Sequence, residues 1–429
     1  MRSVILTLFR SFTPLKYPNF RIYIGGQAIS LIGTWLQATA QAWLVWQLTG
    51  SEAALGVVTM LNFLPLLFLG PWAGVWADRL DRRKLLIGTQ LGAMSLAFIL
   101  AILVQTNTVQ LWHVFVLSTL LGVINALDLP AQQAFLGDLA GMGEVRKAVN
   151  LNAMLLQVSR SLGPVFAGFL IAKLGNAPAF WINGLSFLAV VLSLLALRSN
   201  QVRKASSDAK PLAQIADALR FLRTQPRLID MFFFTTLMTF FFWSVILNLL
   251  PPIADKILHG NAETLGTLQA ASGTGALFGV LLVVPLAQAA QRSGLILGGM
   301  ALWAGLWLFV FSLSQTLAFS FLTLFLASVS VPVIFTMVLG MVQVMAPADM
   351  RARLLSLFVM LSFGLQPIAA IGVGALAEYF GVQPVIQFNA TMIIIGTIAI
   401  LAVRADLRRW IVSFAPAAMP VIIEAGSTN

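Results

Sequence analysis

Apolar runs of about twenty residues recur from one end of the chain to the other, and they fix the solvent in which it folds. A run of that length matches the hydrocarbon thickness of a bilayer. Between clusters of charge and turn residues the runs fall at 22–48, 53–77, 85–104, 111–133, 149–173 and 177–197. They resume at 229–254, 262–290, 293–313, 316–345, 353–377 and 383–403. In lipid each backbone polar group needs a partner within its own segment, so each run predicts a helix. The expected fold is an all-α membrane protein of about twelve transmembrane helices. Composition agrees: of 429 residues 59% are hydrophobic and 10% charged, where a soluble chain carries roughly a quarter charged.

Basic residues give the orientation. With both termini cytoplasmic, Lys and Arg should concentrate in the tails and the even-numbered loops. Of the 26 basic residues only Lys173, Lys256 and Arg160 fall elsewhere. The net charge of +11 is therefore a topological signal, and a nucleic-acid partner is not expected. Arg2, Arg10 and Lys16 precede a first run about twice the length of a signal-peptide core, which predicts a retained helix behind a cytoplasmic leader. Cysteine is absent, which removes disulfides, thiolate metal sites and a cysteine nucleophile. His113 and His259 lack metal-ligand spacing and read as interfacial side chains. No metal, cofactor or Walker-type phosphate loop is expected.

The chain divides into a six-helix bundle with its leader (1–197), a polar central loop (198–228), a second six-helix bundle (229–404) and a tail (405–429). Leu212, Ile215, Leu219 and Leu222 lie at helical spacing in the central loop and predict a short amphipathic helix. Leu48-Thr-Gly50-Ser-Glu-Ala-Ala-Leu55-Gly56 is echoed 210 residues later by Leu258-His-Gly260-Asn-Ala-Glu-Thr-Leu265-Gly266. Two such repeats are the arrangement expected when a solute binds between halves that rock around it.

Polar residues within the runs mark a candidate site, because ionisable groups at membrane depth face a cavity or a partner. Asp128 in the fourth run and Arg160 in the fifth stand out. They form either a protonation switch or a permanent ion pair locking the two helices; Asp230, Asp255 and Glu378 lie nearer helix ends. The first run carries Gln27, Ser30, Thr34, Gln37 and Gln41 at steps of three or four. The fourth carries Ser118, Asn125, Asp128 and Gln132. The seventh offers Thr236, Thr239, Trp243 and Asn248 beside Phe240–Phe242, and the tenth Ser328, Thr336 and Gln343 around Pro332.

Gly74-Val-Trp-Ala-Asp78-Arg79-Leu-Asp81-Arg82-Arg83-Lys84 resembles the loop motif of the major facilitator superfamily, with Asp81 where glycine is commoner. Phe20-Arg21, Gly33-Thr34-Trp35, Asp128-Leu-Pro130, Ala148-Val-Asn150-Leu-Asn152 and Arg160-Ser-Leu-Gly163-Pro164 narrow the resemblance to the drug and siderophore exporter branch. That branch includes enterobactin-exporter-like and macrolide-efflux-like proteins, and Leu250-Pro251 and Arg351-Ala-Arg353 extend the match. The resemblance implies that the four polar stripes line one central cavity. It implies that Gly74, Asp78, Arg79, Arg82 and Arg83 form a cytoplasmic gate docking near Arg351. Gly163, Pro164 and Gly168 resemble the exporters' fifth-helix motif, where small residues permit close helix approach.

The first run has no acid near Thr34, where many relatives have one, so proton coupling is assigned to Asp128. The expected activity is secondary active export of a small amphipathic molecule by alternating access, exchanged for protons. The setting implied is a monomer in the bilayer of the bacterial inner membrane. A lipid or lysophospholipid translocase on the same fold is the alternative, favoured by the missing acid and the aromatic seventh helix. An enzyme would need a convergent His, Asp or Ser cluster, and none is present.

Overall fold

The computed structural model describes residues 13–140, 144–197, 211–289, 293–404 and 407. Among them there is no strand. Helices α1 (Pro18–Thr49), α2 (Glu52–Arg79), α3 (Arg82–Gln105), α4 (Leu111–Ala140), α5 (Val145–Leu174) and α6 (Ala177–Ala196) take the first six runs. The short α7 (Pro211–Arg223) follows. Then come α8 (Pro226–Asn248), α9 (Ala262–Gln288), α10 (Ser293–Ser312) and α11 (Leu317–Met345). The eleventh run is broken into α12 (Ala348–Phe363) and α13 (Gln366–Phe380), and α14 (Val382–Val403) is last.

Eleven helices of the described chain are long and apolar enough to cross a membrane, counting Arg353–Phe380 as one. Helix α1 is not among them, although its 32 residues would span about 48 Å at 1.5 Å per residue. Gln37, Gln41 and Gln47 in its C-terminal half pull its mean hydropathy down.

Local chemistry sets the helix ends. Asp81 is the N-cap of α3, its carboxylate accepting from the Lys84 N–H. An acid is well suited to that position, where the first turn leaves backbone donors unpaired. The repeated segment is a capped turn in both halves: Ser51 accepts from Ala54 N–H, and Asn261 from Glu263 N–H. Helix α7 lies in the central loop, and of its spaced apolar residues Leu219 is exposed and Leu222 half-buried. Ala218 is buried, and Asp217 on the adjoining face pairs with Arg353 of α12 at 3.0 Å. The side chains of Leu212 and Ile215 lie outside the described set.

The chain forms two compact units: Met1–Asp208 with Leu250–Ala270, and Ala209–Leu249 with Ala271–Asn429. In the first, α2 packs on α4, α3 on α6 and α4, and α1 on α5 and α6. In the second, α10 lies between α11 and α14, and α12 packs on α7. Two long helices of the second unit carry π-helical turns, at Met238–Trp243 in α8 and Gly279–Val283 in α9. Such turns leave backbone groups out of the regular ladder.

Candidate functional site

In the first unit the polar residues of α1 separate by neighbour. Gln27 and Ser30 are buried. Gln37 is buried too, its Oε1 accepting from Asn183 Nδ2 of α6 at 2.7 Å, so it belongs to the α1–α6 interface. Gln41, one turn on, turns to α4 and donates to Ser118 Oγ at 2.8 Å. Thr34 is exposed. On α4, Asn125, Asp128 and Gln132 are half-buried.

Asp128 and Arg160 have separate partners. Asp128 Oδ1 meets Thr89 Oγ1 at 2.5 Å and Gln90 Nε2 at 3.1 Å, both from α3. Arg160 is buried on α5, its guanidinium 5.7 Å from the centre of the Trp35 ring. The carboxyl is thus set among neutral hydrogen-bonding groups, where gain or loss of a proton changes the local charge by a full unit. Gly163 brings α5 against α1: a Cβ there would lie 2.6 Å from Trp35 Cβ.

Segment Leu250–Ala270 joins the same unit through polar contacts at one end of α1 and α2. Glu52 is 3% exposed and pairs with Lys256 Nζ at 2.8 Å. That ammonium also stands 4.9 Å from the centre of the Trp46 ring. Trp46 Nε1 donates to Asp255 Oδ2 at 2.9 Å, and Thr39 Oγ1 bonds Gln269 Oε1. Below them the fifth-helix motif is close-packed. A Cβ on Gly168 would meet Ala262 O at 2.8 Å, and one on Gly266 would meet Pro164 O at 2.4 Å.

In the second unit Thr236, Trp243 and Thr336 are half-buried and Gln343 is exposed. Thr239 and Asn248 are fully buried. Thr239 Oγ1 donates to Ser362 O at 3.3 Å, and Gln366 Nε2 donates to Thr239 O at 3.2 Å. These bonds tie the π-helical turn of α8 to the break between α12 and α13, where regular backbone pairing lapses in both. Ser328 donates to Ser272 Oγ at 3.0 Å.

At the charged ends of the helices, Arg82 pairs with Asp138 at 2.8 Å, and Arg83 donates to Leu195 O at 2.9 Å. Gly74, Asp78 and Arg79 lie in the last turns of α2, and their side chains are outside the described set. Arg351 donates to Ala346 O at 3.4 Å. Asp230, 5% exposed, pairs with Arg404 at 3.2 Å. Among the described residues no group of three or more His, Cys, Asp or Glu is placed to hold a metal ion.

Residues 9–417 match the family described as transmembrane secretion effector, a branch of the major facilitator superfamily. The chain belongs to that family. It is 26% identical over 267 residues to the Staphyloferrin A transporter of Staphylococcus aureus, covering 61% of this chain and 66% of that one, just under two thirds. It is 24% identical over 274 residues to Macrolide efflux protein A of Streptococcus pyogenes, covering 62% and 67%. Its backbone superposes on the nucleoside transporter NupG with a TM-score of 0.71 at 15% identity, over 90% of this chain and 99% of that chain. At that identity the likeness establishes the fold.

The family and the named relatives are transporters, not enzymes, the class the sequence reading expected. Sequence reasoning missed Thr89 and Gln90, although two adjacent polar residues within the apolar run 85–104 were a visible signal. It also missed Glu52, Trp46 and Lys256, which stand 204 residues apart in the case of the ion pair. The partner of Arg353, Asp217, sits in the central loop that was read only for its leucines.

Proposed function

We propose that this facilitator exports a small amphipathic molecule of the drug or siderophore class across the cytoplasmic membrane, in exchange for protons. The relatives named for staphyloferrin A and for macrolide efflux support the solute class. The observation that carries the coupling is Asp128, a carboxyl inside a membrane helix whose described hydrogen-bond partners, Thr89 and Gln90, are neutral. Such a group is costly in the span unless its charge is used. The half-buried and exposed members of the stripes, Thr34, Gln41, Asn125, Gln132, Thr236, Trp243, Thr336 and Gln343, are the residues assigned to the solute path. Transport proceeds by alternating access as a monomer with both termini cytoplasmic. Gly74, Asp78, Arg79, Arg82, Arg83 and Arg351 act as the cytoplasmic gate. The seam that binds Leu250–Ala270 to α1, α2 and α5 opens once per cycle.

The test is transport in proteoliposomes with an imposed pH gradient, comparing the parent with Asp128→Asn on siderophores, macrolides and labelled lysophospholipid. Gradient-driven movement of a soluble compound, lost in the variant, is the expected result. Gradient-independent movement, or movement of lipid alone, replaces this reading with a lipid translocase.

A further inference from the structure

The immediate partners of Asp128 are unusual for a carboxylate that stays charged. A permanent anion in a membrane span is served best by obligate donors such as Arg, Lys or backbone N–H. Asp128 instead meets a hydroxyl and a side-chain amide, each able to donate or accept.

The proton count at Thr89 sharpens this. Its hydroxyl carries one proton, yet Oγ1 lies 2.9 Å from Leu86 O and 2.5 Å from Asp128 Oδ1. A carbonyl oxygen only accepts. With the carboxyl ionised, the Thr89 proton points to Asp128. With the carboxyl protonated, Asp128 donates to Thr89 Oγ1, and the hydroxyl turns its own proton to Leu86 O. Gln90 serves both forms without reversing. Its Nε2 donates to Asp128 Oδ1, while its Oε1 is buried with no partner. The one carboxylic proton goes to Thr89, and the Gln90 amide need not turn, because the oxygen of a neutral carboxyl still accepts from Nε2.

The charged surroundings do not fix the carboxyl in one form. Among the described residues no cation reaches ion-pair distance of Asp128. From α1 the phenol of Tyr23 lies within electrostatic range. On α2 the acid Glu52 is committed to Lys256, and the side chains of Asp78 and Arg79 are outside the described set. On α5 Lys147 pairs with Glu144 and Arg160 stacks on Trp35. On α4 itself Asp138 is held by Arg82.

We infer that Thr89 and Gln90 are positioning residues that hold Asp128 in the same place whether its carboxyl is ionised or protonated, Thr89 reversing its hydrogen bond as the proton binds and leaves while Gln90 goes on donating. The inference rests on the coupling role proposed for Asp128 and names the side chains that make it reversible. When a proton adds to the carboxylate, no donor on α3 is orphaned and the α3–α4 contact survives. The site then passes between its two charge states without the loss that an unpaired buried polar group imposes.

The test is infrared spectroscopy of the purified full-length chain in liposomes, read without solute or gradient. Acidification of the parent, with Asp128→Asn subtracted, should give a carboxylic C=O band belonging to Asp128. Thr89→Val keeps the side-chain shape and removes the hydroxyl; it should move that band to higher wavenumber through loss of a hydrogen bond. Thr89→Ser should leave it where the parent has it. Gln90→Leu should shift the band in the same direction, and serves if Thr89→Val does not insert stably. An Asp128 band in the parent position in both Thr89→Val and Gln90→Leu would overturn the inference. So would a shift in Thr89→Ser equal to that in Thr89→Val, or no Asp128 band at all. The export reading fails separately, if Asp128→Asn still moves solute on the pH gradient.

Discussion

Replacing Lys256 with methionine should open the seam between Leu250–Ala270 and the first two helices. The variant keeps the length and apolar stem of the side chain and removes its charge, leaving the carboxylate of Glu52 without its counter-ion. The side chain of Glu52 is 4% exposed and that of Lys256 52% exposed, so the pair is neither fully buried nor a surface pair. Breaking a buried pair costs about 3–5 kcal/mol, whereas an exposed pair is worth about 0.2–1 kcal/mol. Lys256 also loses its place over the Trp46 ring, worth roughly 0.5–1 kcal/mol. A value of about 2 kcal/mol lies between these limits and multiplies the open population roughly thirtyfold. The native chain has no cysteine, so Leu48→Cys and Glu263→Cys can carry spin labels without background. Double electron–electron resonance should show a longer-distance component growing in Lys256→Met and receding in the double exchange Glu52→Lys with Lys256→Glu. A distance distribution for Lys256→Met that superimposes on the parent would refute the seam as a charge-held contact.

Other substitutions test neighbouring parts. Gly168→Val places a side chain where even Cβ would lie 2.8 Å from Ala262 O; overpacking of about 1–3 kcal/mol should lengthen the same label distance. Gly25→Ala, with nothing within 4 Å of its Cβ, should leave it unchanged. Arg353→Ala releases Asp217 and should speed tryptic cleavage at Arg220 and Arg223 about two- to fivefold, as expected for an interaction of about 0.5–1 kcal/mol. Asp81→Ala removes the cap of α3 and should cost about 1 kcal/mol, read as a lower thermal midpoint that Asp81→Asn largely retains.

The helices were legible because length and apolarity answer to one constraint, the bilayer, and need no knowledge of neighbours. The site was legible only in part, because helical spacing gives a face and not what the face meets. Gln37 and Gln41 share a stripe, yet one bonds Asn183 and the other Ser118. A rotation of about 40° separates residues four apart on a helix, and that suffices to reach different neighbours. The burial of Thr239 and Asn248 was not legible for another reason: the π-helical turn of α8 changes the register on which a 3.6-residue stripe depends. Leu219 is exposed, which its spacing alone did not reveal. The Glu52–Lys256 pair had no local pattern at all, although both residues lie beside the repeated turn that announced the two halves.

Proton movement coupled to solute movement tests the mechanism most directly. Proteoliposomes loaded with a pH-sensitive dye, with no imposed gradient, are given a macrolide on one side. The parent should move protons against the solute flow, and Asp128→Asn should not. Solute uptake by the parent with no pH change inside the vesicles, or equal proton movement in Asp128→Asn, would contradict proton exchange through Asp128.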